Sequence, residues 1–258
     1  MEKLTDVFYT LPEIWDFCLN KIYDRSQYVE GFIELLKGLG IKKESLILDA
    51  GCGSGFLTLD LIKRGYHVVG TDKSDEMIRQ IKTNAKKLGV GIEAYNVMWS
   101  DLSKKFDSIF DMVYCRGNSL VYAASWERNW IVPSRSNEEI RKALENFHSV
   151  LKSGGYLYVD ITNHREKPHE DSIGIVDTPQ GPVRLFWKME HDKKNRIRTW
   201  TATLRFLKTG KMKSYLSYSY LLPQKDLILF MKNAGFKKIN PYVKDSGEKN
   251  YDVFIAEK

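Results

Sequence analysis

The sequence predicts a doubly wound, mostly parallel α/β sheet that carries an antiparallel β insertion. Short apolar runs typical of buried strands alternate with helical periods between residues 45 and 160. A glycine-rich turn at 51–55 follows the first of these runs, and residues 183–220 change to a period of two, which indicates antiparallel strands. We expect three parts: an N-terminal helical cap over 1–40, an α/β core over 41–165 and 221–258, and an antiparallel flap over 166–220.

Composition narrows the class of protein. The 258 residues are 43% hydrophobic and 12% aromatic with a net charge of +7, which excludes a disordered chain. No apolar run approaches the roughly 18 residues of a membrane helix, and the N-terminus lacks the order of a signal peptide. Cys18, Cys52 and Cys115 lie far apart, so they predict neither a disulfide framework nor a zinc site. We therefore expect a cytoplasmic protein without a metal or a membrane partner.

The first half of the chain alternates helix and strand. Residues 12–38 repeat apolar side chains at three- and four-residue steps and predict helix. An apolar run at 45–48 predicts a buried strand, and Ser74 is placed to cap the second helix that follows the glycine turn. In order, we expect helix at 56–65, strand at 67–72, helix at 74–88, strands at 92–96 and 112–115, helix at 137–151 and strand at 156–160. Gly154 and Gly155 are expected to end the helix before the fifth strand.

The second half begins with the flap. Alternating residues at 199–206 predict a strand with one buried face, and turn residues at 192–195 and 209–210 separate it from its neighbours. A helix at 224–234 and a strand at 251–256 complete the expected elements.

The glycine turn predicts the ligand. Gly51, Gly53 and Gly55 follow a strand, and such a pattern fits an ordinary tight turn or a backbone that approaches a ligand closely. Asp72 lies 21 residues after Gly51, near the spacing of about 20 for a carboxylate that binds a ribose diol. Asp49 would repel a pyrophosphate and attract a cation. No Gly-Lys-Ser/Thr follows the glycines, which excludes a Walker phosphate loop. The pattern favours S-adenosylmethionine, which carries an ammonium and a sulfonium and no phosphate, over a dinucleotide.

Residues 45–160, with the Asp-x-Gly-x-Gly-x-Gly turn and the acid ending the second strand, resemble class I S-adenosylmethionine-dependent methyltransferases. The resemblance implies a Rossmann-like methyltransferase fold, with the methionine moiety near Asp49 and the ribose at Asp72. Core packing is an equal alternative for Met98 and Trp99, which would contact the adenine. The implied cofactor residues are Asp49, Gly51, Cys52, Gly53, Asp72, Lys73, Met77, Met98, Trp99 and Cys115.

The acceptor side resembles one group of that family. Cys115-Arg-Gly-Asn-Ser119 is similar to the Cys-x-Gly-Asn-Ser segment of glycine and glycine sarcosine N-methyltransferases, as are the spacing from Trp15 to Arg25 and a tyrosine-bearing strand at 216–220. The resemblance leaves a homo-oligomer open. It implies substrate-binding roles for Trp15, Arg25, Arg116 and Gly117, and catalytic roles for Asn118, Tyr218 and Tyr220. For each tyrosine, a packed aromatic side chain is the alternative.

The chain departs from that group at the expected carboxylate clamp. Thr162 stands where the glycine enzymes carry an arginine, and threonine cannot form a bidentate guanidinium–carboxylate pair. Arg116 or Arg165 would be a displaced clamp, although Arg165 lies in a charged loop typical of solvated side chains. The histidines show no partnered arrangement in the sequence, and only His164 lies at a strand end where a base could act.

Positive charge is concentrated in the flap. Residues 184–215 hold ten basic and two acidic residues: Arg184, Lys188, Lys193, Lys194, Arg196, Arg198, Arg205, Lys208, Lys211 and Lys213 against Glu190 and Asp192. A solvated face, a lid that attracts an anionic substrate, and a nucleic-acid surface are the three interpretations, in that order. We expect methyl transfer to a small polar acceptor at an amine nitrogen. The alternatives are an RNA or protein methyltransferase that uses the flap and a non-catalytic binding module.

Overall fold

The computed structural model describes residues 12–123, 132–163, 166–242 and 251–258. Its main sheet has the strand order β10–β11–β5–β4–β1–β2–β3, in which β1 to β5 run parallel and β11 and β10 continue the β5 edge antiparallel. The parallel strands are β1 (Leu46–Ala50), β2 (His67–Asp72), β3 (Glu93–Asn96), β4 (Phe110–Cys115) and β5 (Leu151–Thr162). The added edge is β10 (Lys237–Tyr242) and β11 (Tyr251–Glu257).

Helices connect these strands. The Asp24 side chain accepts a hydrogen bond from the Gln27 N–H and caps one helix, and Ser74 does the same for Met77 in another. The helices are α1 (Pro12–Ile22), α2 (Arg25–Gly38), α3 (Thr58–Lys63), α4 (Asp75–Leu88), α5 (Leu102–Lys105), α6 (Pro133–Val150) and α7 (Gln224–Asn233), with 3₁₀ turns at Trp99–Asp101 and Ser119–Tyr122. No helix within the described ranges is both long and apolar enough to cross a membrane.

The main sheet is buried on both faces, which explains the continuous apolar runs of its strands. On one face, Leu48 and Val113 pack in one cluster with Leu144 of α6 and Leu227 of α7. On the other face, Ile47, Met112 and Tyr158 pack in a second cluster with Phe32 and Leu36 of α2. The predicted doubly wound fold is therefore confirmed.

A separate antiparallel sheet has the order β6–β7–β8–β9. Its strands are β6 (His169–Thr178), β7 (Gly181–Asp192), β8 (Ile197–Phe206) and β9 (Met212–Tyr220). The register pairs Met189 with Trp200, and Trp200 with Ser217. The face that carries these residues packs against Ile14 and Cys18 of α1, so α1 covers the inner side of the flap.

Three local features differ from the sequence expectations. Gly154 and Gly155 do not end the helix: α6 ends at Val150, and both glycines lie within β5, opposite a register shift in β4. The strands β6 and β10 were not expected, because both are largely exposed edge strands with register shifts and little apolar alternation.

Candidate active site

The carboxyl ends of the parallel strands, the inner face of the flap and α1 together enclose a cavity of about 400 Å³. This is the edge at which open α/β sheets bind ligands. The predicted site residues that line it are Trp15, Asp49, Gly51, Cys52, Gly53, Asp72, Lys73, Met77, Met98, Trp99, Arg116, Gly117 and Asn118. Arg25, Cys115, Tyr218 and Tyr220 are not among its lining residues.

The glycine loop is held at the ends of β1 and β2. The Gly51 and Cys52 N–H groups both donate to the Thr71 carbonyl, at 2.8 and 2.9 Å. Gly51 has a φ of +109°, and a Cβ there would lie 3.5 Å from Cζ2 of Trp99. Gly55 has a φ of +99°, and its Cβ would lie 2.7 Å from Cγ1 of Ile81. The first glycine therefore keeps space open beside the cavity, and the last lets α4 pack closely.

The Asp72 carboxylate organises the rim of this loop. Its Oδ2 accepts from the Gly53 N–H at 3.0 Å, and its Oδ1 accepts from the Ser74 N–H at 2.9 Å. Burial raises the pKa of Asp72, and these two hydrogen bonds oppose the rise because they favour the ionised form. The carboxylate thus stays at the cavity with its orientation fixed by the backbone.

Asp49 lies deeper and is only 2% exposed. Its Oδ2 accepts a hydrogen bond from Thr58 Oγ1, which also lies 3.2 Å from the Tyr114 hydroxyl. Within the described part of the chain, Oδ1 has no hydrogen-bond partner. Burial raises the pKa of Asp49 to about 7, against the opposing effects of Thr58 and Arg116. A buried acceptor without a partner predicts a ligand that donates a hydrogen bond or carries a positive charge.

These residues fit S-adenosylmethionine. Asp49 offers an unpartnered carboxylate oxygen for a cation, Asp72 offers a carboxylate suited to a diol, and Trp99 offers an aromatic surface across from Gly51. The loop itself supplies no basic side chain for a phosphate.

The segment that leaves β4 is fixed by a carboxylate that the sequence analysis did not single out. Asp160 is fully buried, and it accepts from the Gly117 N–H at 2.9 Å and the Asn118 N–H at 2.6 Å. Burial raises its pKa to about 6, and these hydrogen bonds oppose the rise. Asn118 has a φ of +59°, and its Oδ1 accepts from the Thr162 N–H at 2.9 Å. Its Nδ2 has no acceptor among the described residues.

Arg116 is held at the cavity by aromatic rings. Its guanidinium lies 4.8 Å from the ring centre of Phe56 and 5.1 Å from that of Tyr28. Nη2 donates to the Phe56 carbonyl at 3.3 Å, and Nη1 lies 3.4 Å from the Tyr28 hydroxyl. Its positive charge lowers the pKa of both Asp49 and Asp160. The structure therefore places Arg116 near enough to both buried carboxylates to favour their ionised forms.

The predicted residues outside the cavity have other partners. Arg25 forms an ion pair with Asp60 at 2.9 Å, and Cys115 is fully buried in the core of the main sheet. Tyr218 and Tyr220 share one face of β9, but β8 residues that line the cavity pair with Ser217 and Ser219 on the other face. The Tyr220 hydroxyl accepts from Arg196 at 2.9 Å. His164 and Arg165 lie outside the described residues.

The flap side of the cavity contains residues that were not predicted for the site. Trp187 and Trp200 line it, with ring centres 4.7 Å apart, and Trp15 lies 6.1 Å from Trp200. Arg198, expected on a solvated face, is buried and lines the cavity together with Glu166. The alternation along β8 shows that Arg198 and Trp200 share one face of the strand, but only the three-dimensional packing shows that this face points inward.

His191 also departs from the sequence expectation. Its side chain is 4% exposed, and Nε2 lies 2.9 Å from Oε2 of Glu166. Burial lowers the pKa of His191, and Glu166 opposes that effect. The histidine therefore has a carboxylate partner that no spacing in the sequence indicated.

Comparisons with known proteins agree with this geometry. Residues 47–155 match the model of a family described as a methyltransferase domain. A glycine/sarcosine N-methyltransferase of Aphanothece halophytica is 33% identical over 152 residues, 59% of this chain and 52% of that protein. A glycine/sarcosine/dimethylglycine N-methyltransferase of Actinopolyspora halophila is 25% identical over 236 residues, 88% of this chain and 38% of that protein. The chain thus spans about half the length, or less, of these curated relatives.

A solved structure extends the comparison to nearly the whole fold. An S-adenosylmethionine-dependent methyltransferase from Clostridium acetobutylicum has a TM-score of 0.72 to this chain at 16% identity, with 97% of this chain and 98% of that one covered. The likeness shows the fold, and the predicted cofactor, S-adenosylmethionine, is confirmed at the level of the family. Together with the matched domain, it confirms the resemblance read from the sequence: residues 47–155 match a methyltransferase domain, and the chain has the fold of an S-adenosylmethionine-dependent methyltransferase.

Proposed function

We propose that this protein transfers a methyl group from S-adenosylmethionine to an amine nitrogen of a small polar acceptor. One observation carries the proposal: a single cavity joins the Asp49 and Asp72 carboxylates of the glycine loop to the Asn118 segment at the end of β4. A donor and an acceptor that occupy the two parts of one cavity are held close together. Such positioning is the main contribution a protein makes to this reaction.

The loop residues would hold the cofactor. When bound, it supplies a methyl group on a positively charged sulfur, which an amine displaces in line. Asp72 would accept hydrogen bonds from the ribose hydroxyls while its own oxygens keep Gly53 and Ser74 in place. Asp49 would interact with the positive end of the ligand through its unpartnered oxygen. Trp99 and Met98 line the same part of the cavity and would contact the adenine.

The end of β4 would orient the acceptor. Gly117 and Asn118 line the cavity, and their N–H groups are bound by Asp160, so their carbonyl oxygens can accept hydrogens from an amine. An amine that arrives unprotonated needs its lone pair directed rather than a strong base. The aromatic side chains of Trp15, Trp187 and Trp200 would keep water out of the acceptor end.

The bases on the exposed side of the flap favour the solvated interpretation over nucleic-acid binding. Arg184, Lys188, Arg205 and Lys213 are exposed, and each alternates with buried neighbours or lies at an exposed strand end. Among the ten basic residues of 184–215, Arg198 is the buried one. A polyanion bound to the exposed face would therefore lie away from the glycine loop, which supports a small-molecule acceptor.

Calorimetry and product detection test the proposal. We expect S-adenosylmethionine to bind to the wild-type protein and small amines to stimulate formation of S-adenosylhomocysteine. Asp72→Asn should weaken cofactor binding about 10- to 100-fold, because hydrogen bonds to a charged group contribute about 1.5–3 kcal/mol. Asp75→Asn, three residues further on and exposed, is the control and should leave the affinity unchanged. Equal affinity of Asp72→Asn and wild type, or no binding of the cofactor at all, would contradict the proposal.

A further inference from the structure

A buried ion pair lies in the wall of the cavity that the flap provides. Arg198 and Glu166 have side chains that are each 5% exposed, and both line the cavity. Nε of Arg198 donates to Oε2 of Glu166 and Nη2 donates to Oε1, both at 3.1 Å. Removing two charges from water costs free energy that their attraction does not reliably recover, so such a pair is weak evidence for a role in stability. Its place at the cavity points to a ligand instead.

The guanidinium has a second edge. Glu166 occupies the Nε/Nη2 edge, and no hydrogen bond of Nη1 is found within the described residues. The Nη1/Nη2 edge presents two parallel N–H bonds, the geometry that binds a carboxylate through both oxygens. Burial alone would lower the pKa of Arg198, but Tyr122 and Glu166 raise it, so the charge is retained. Arg198 thus carries a permanent positive charge, with one edge of its guanidinium bonded to Glu166 and the other edge available to a ligand.

Two further donors in the same cavity have no acceptor among the described residues. They are Nδ2 of Asn118, at the end of β4, and Nε1 of Trp187, on β7. Leaving a buried N–H group without a partner costs about 1–3 kcal/mol. Three donors from three elements around one space indicate a ligand rich in acceptor oxygens. Because Glu166 would repel a second negative charge, a monoanion fits better than a phosphate.

We infer that Arg198 is the acceptor-recognition residue of this site and binds a carboxylate on the amine acceptor through its Nη1/Nη2 edge. The inference rests on the proposed methyl transfer and restricts its substrates to amino acids or amino-carboxylates. It also accounts for Thr162, because a carboxylate held from the flap needs no arginine after β5. Trp200 is the next residue after Arg198 on the inner face of β8, and Trp187 lies beyond it on β7. Both tryptophans line the cavity and would contact the carbon chain of such a substrate.

The test compares each acid with its own amide, since the amide keeps the shape and removes the charge. Glycine with glycinamide, and sarcosine with sarcosinamide, are suitable pairs, together with longer amino acids and their amides. Wild-type kcat/KM should favour the acid about 10- to 100-fold, mainly through KM, as expected for a charged hydrogen-bonded pair. Arg198→Lys keeps the positive charge and loses the two parallel N–H bonds. This variant should raise KM for the acid about tenfold and leave KM for the amide unchanged.

A double variant removes the charge without leaving Glu166 buried alone. Arg198→Met/Glu166→Gln should reduce the preference for the acid to less than about threefold, because the charged donor that we assign to the carboxylate is removed. Arg205→Met changes an exposed arginine on the same strand and should keep the wild-type preference. Binding of S-adenosylhomocysteine, measured by calorimetry, shows whether each variant is folded. If the double variant does not bind it, the Arg198→Lys result alone decides.

Each outcome separates the two proposals. Equal use of acids and amides by the wild-type protein would overturn the role of Arg198 and leave amine methylation intact. A wild-type preference for the acid over the amide in Arg198→Lys would also overturn the role of Arg198 and leave amine methylation intact. If S-adenosylmethionine binds but no amine yields S-adenosylhomocysteine, the proposed function fails, and the inference about Arg198 fails with it.

Discussion

The Asp49 carboxylate is buried at a cost that its own protein contacts do not recover. Thr58 binds one oxygen, while the other has no partner among the described residues. Burial therefore holds its pKa at about 7, compared with 3.8 for an ordinary aspartate. The difference corresponds to about 4 kcal/mol between the charged and neutral forms. A cation bound beside Asp49 would offset that cost, which links the affinity for the ligand to the instability of the free protein.

We expect Asp49→Asn to be more stable than wild type at pH 8 in the absence of ligand. A raised folded-state pKa contributes stability that is present below about pH 4 and lost as the pH rises through about 7. Asparagine has no such loss, so the variant should gain up to about 4 kcal/mol between pH 4 and pH 8 relative to wild type. Urea unfolding at both pH values measures this. Asp75→Asn is the control, and an identical pH dependence in all three proteins would contradict the account of Asp49.

The cofactor affinity of the wild-type protein should change with pH in the direction opposite to its stability. Wild-type affinity for S-adenosylmethionine should rise as the pH passes through about 7, because the ionised Asp49 attracts its positive charge. In Asp49→Asn the affinity should be lower and should not vary with the ionisation of this position. Calorimetry from pH 6 to pH 8.5 distinguishes the two cases. A wild-type affinity that is flat over this range would exclude a direct electrostatic role for Asp49.

Some residues could be predicted from the sequence, and others could not. Asp49, Gly51 and Asp72 follow from spacing, because the geometry of a strand-to-helix turn fixes where they lie. Tyr218 and Tyr220 could not be assigned, because a strand has two faces and both faces of β9 carry polar or aromatic residues. The sequence shows which residues share a face, and only the packing of the flap on α1 shows which face is inner.

The segment after β4 behaves as one element because a single side chain binds its backbone. Both Asp160 oxygens are used, one by the Gly117 N–H and one by the Asn118 N–H. Asn118 is in turn bound to β5 through the Thr162 N–H. The left-handed conformation of Asn118 is therefore stabilised from two sides, and its amide nitrogen is left for the cavity. Asp160 acts here as a positioning residue.

Asp160→Asn should disturb this segment without unfolding the protein. An amide offers one acceptor oxygen where the carboxylate offers two, so one N–H loses its partner at a cost of about 1–3 kcal/mol. We expect kcat for any identified acceptor to fall at least about tenfold, while the cofactor dissociation constant changes little. Asp177→Asn, exposed on β6, is the control. A change confined to cofactor affinity, with kcat preserved, would contradict the role assigned to Asp160.

Edge strands mark the limit of prediction for whole elements. The interior strands β1, β2 and β4 are buried on both sides, and their apolar runs identify them. The edge strands β6 and β10 expose most of their residues, and β10 contains Pro241, which is tolerated only at an edge. β6 pairs with β7 and β10 pairs with β11, but neither β6 nor β10 has the apolar alternation by which a strand is recognised, so local sequence could not predict them.

The helix α1 contacts both the flap and α4 of the α/β core. Ile14 and Cys18 are fully buried against the inner face of the flap, while Asp16 accepts hydrogen bonds from Gln80 and Asn84 of α4. Asn84 also donates to the Ser54 carbonyl in the glycine loop, at 3.0 Å. Flap, α1, α4 and the glycine loop thus form one connected set of contacts around the cavity. A ligand in that cavity should stabilise all of them together.

Ile14→Ala tests this coupling. Removing a fully buried isoleucine side chain should cost about 2–5 kcal/mol of unfolding free energy. Because α1 also supports the glycine loop, we expect the affinity for S-adenosylhomocysteine to fall about tenfold. The added stability at a fixed ligand concentration would then drop by about 1.4 kcal/mol. Urea unfolding with and without S-adenosylhomocysteine measures both quantities.

Leu227→Ala provides the matched comparison. Leu227 is also fully buried, but it packs on the main sheet from α7 and does not line the cavity. This variant should lose a similar amount of stability and keep the full stabilisation by the ligand. The space left by the leucine side chain lies outside the connected contacts of the flap, α1, α4 and the glycine loop. If both variants retain the same ligand-induced gain as wild type, α1 is only a packed helix. Ligand binding would then not depend on how α1 packs against the flap.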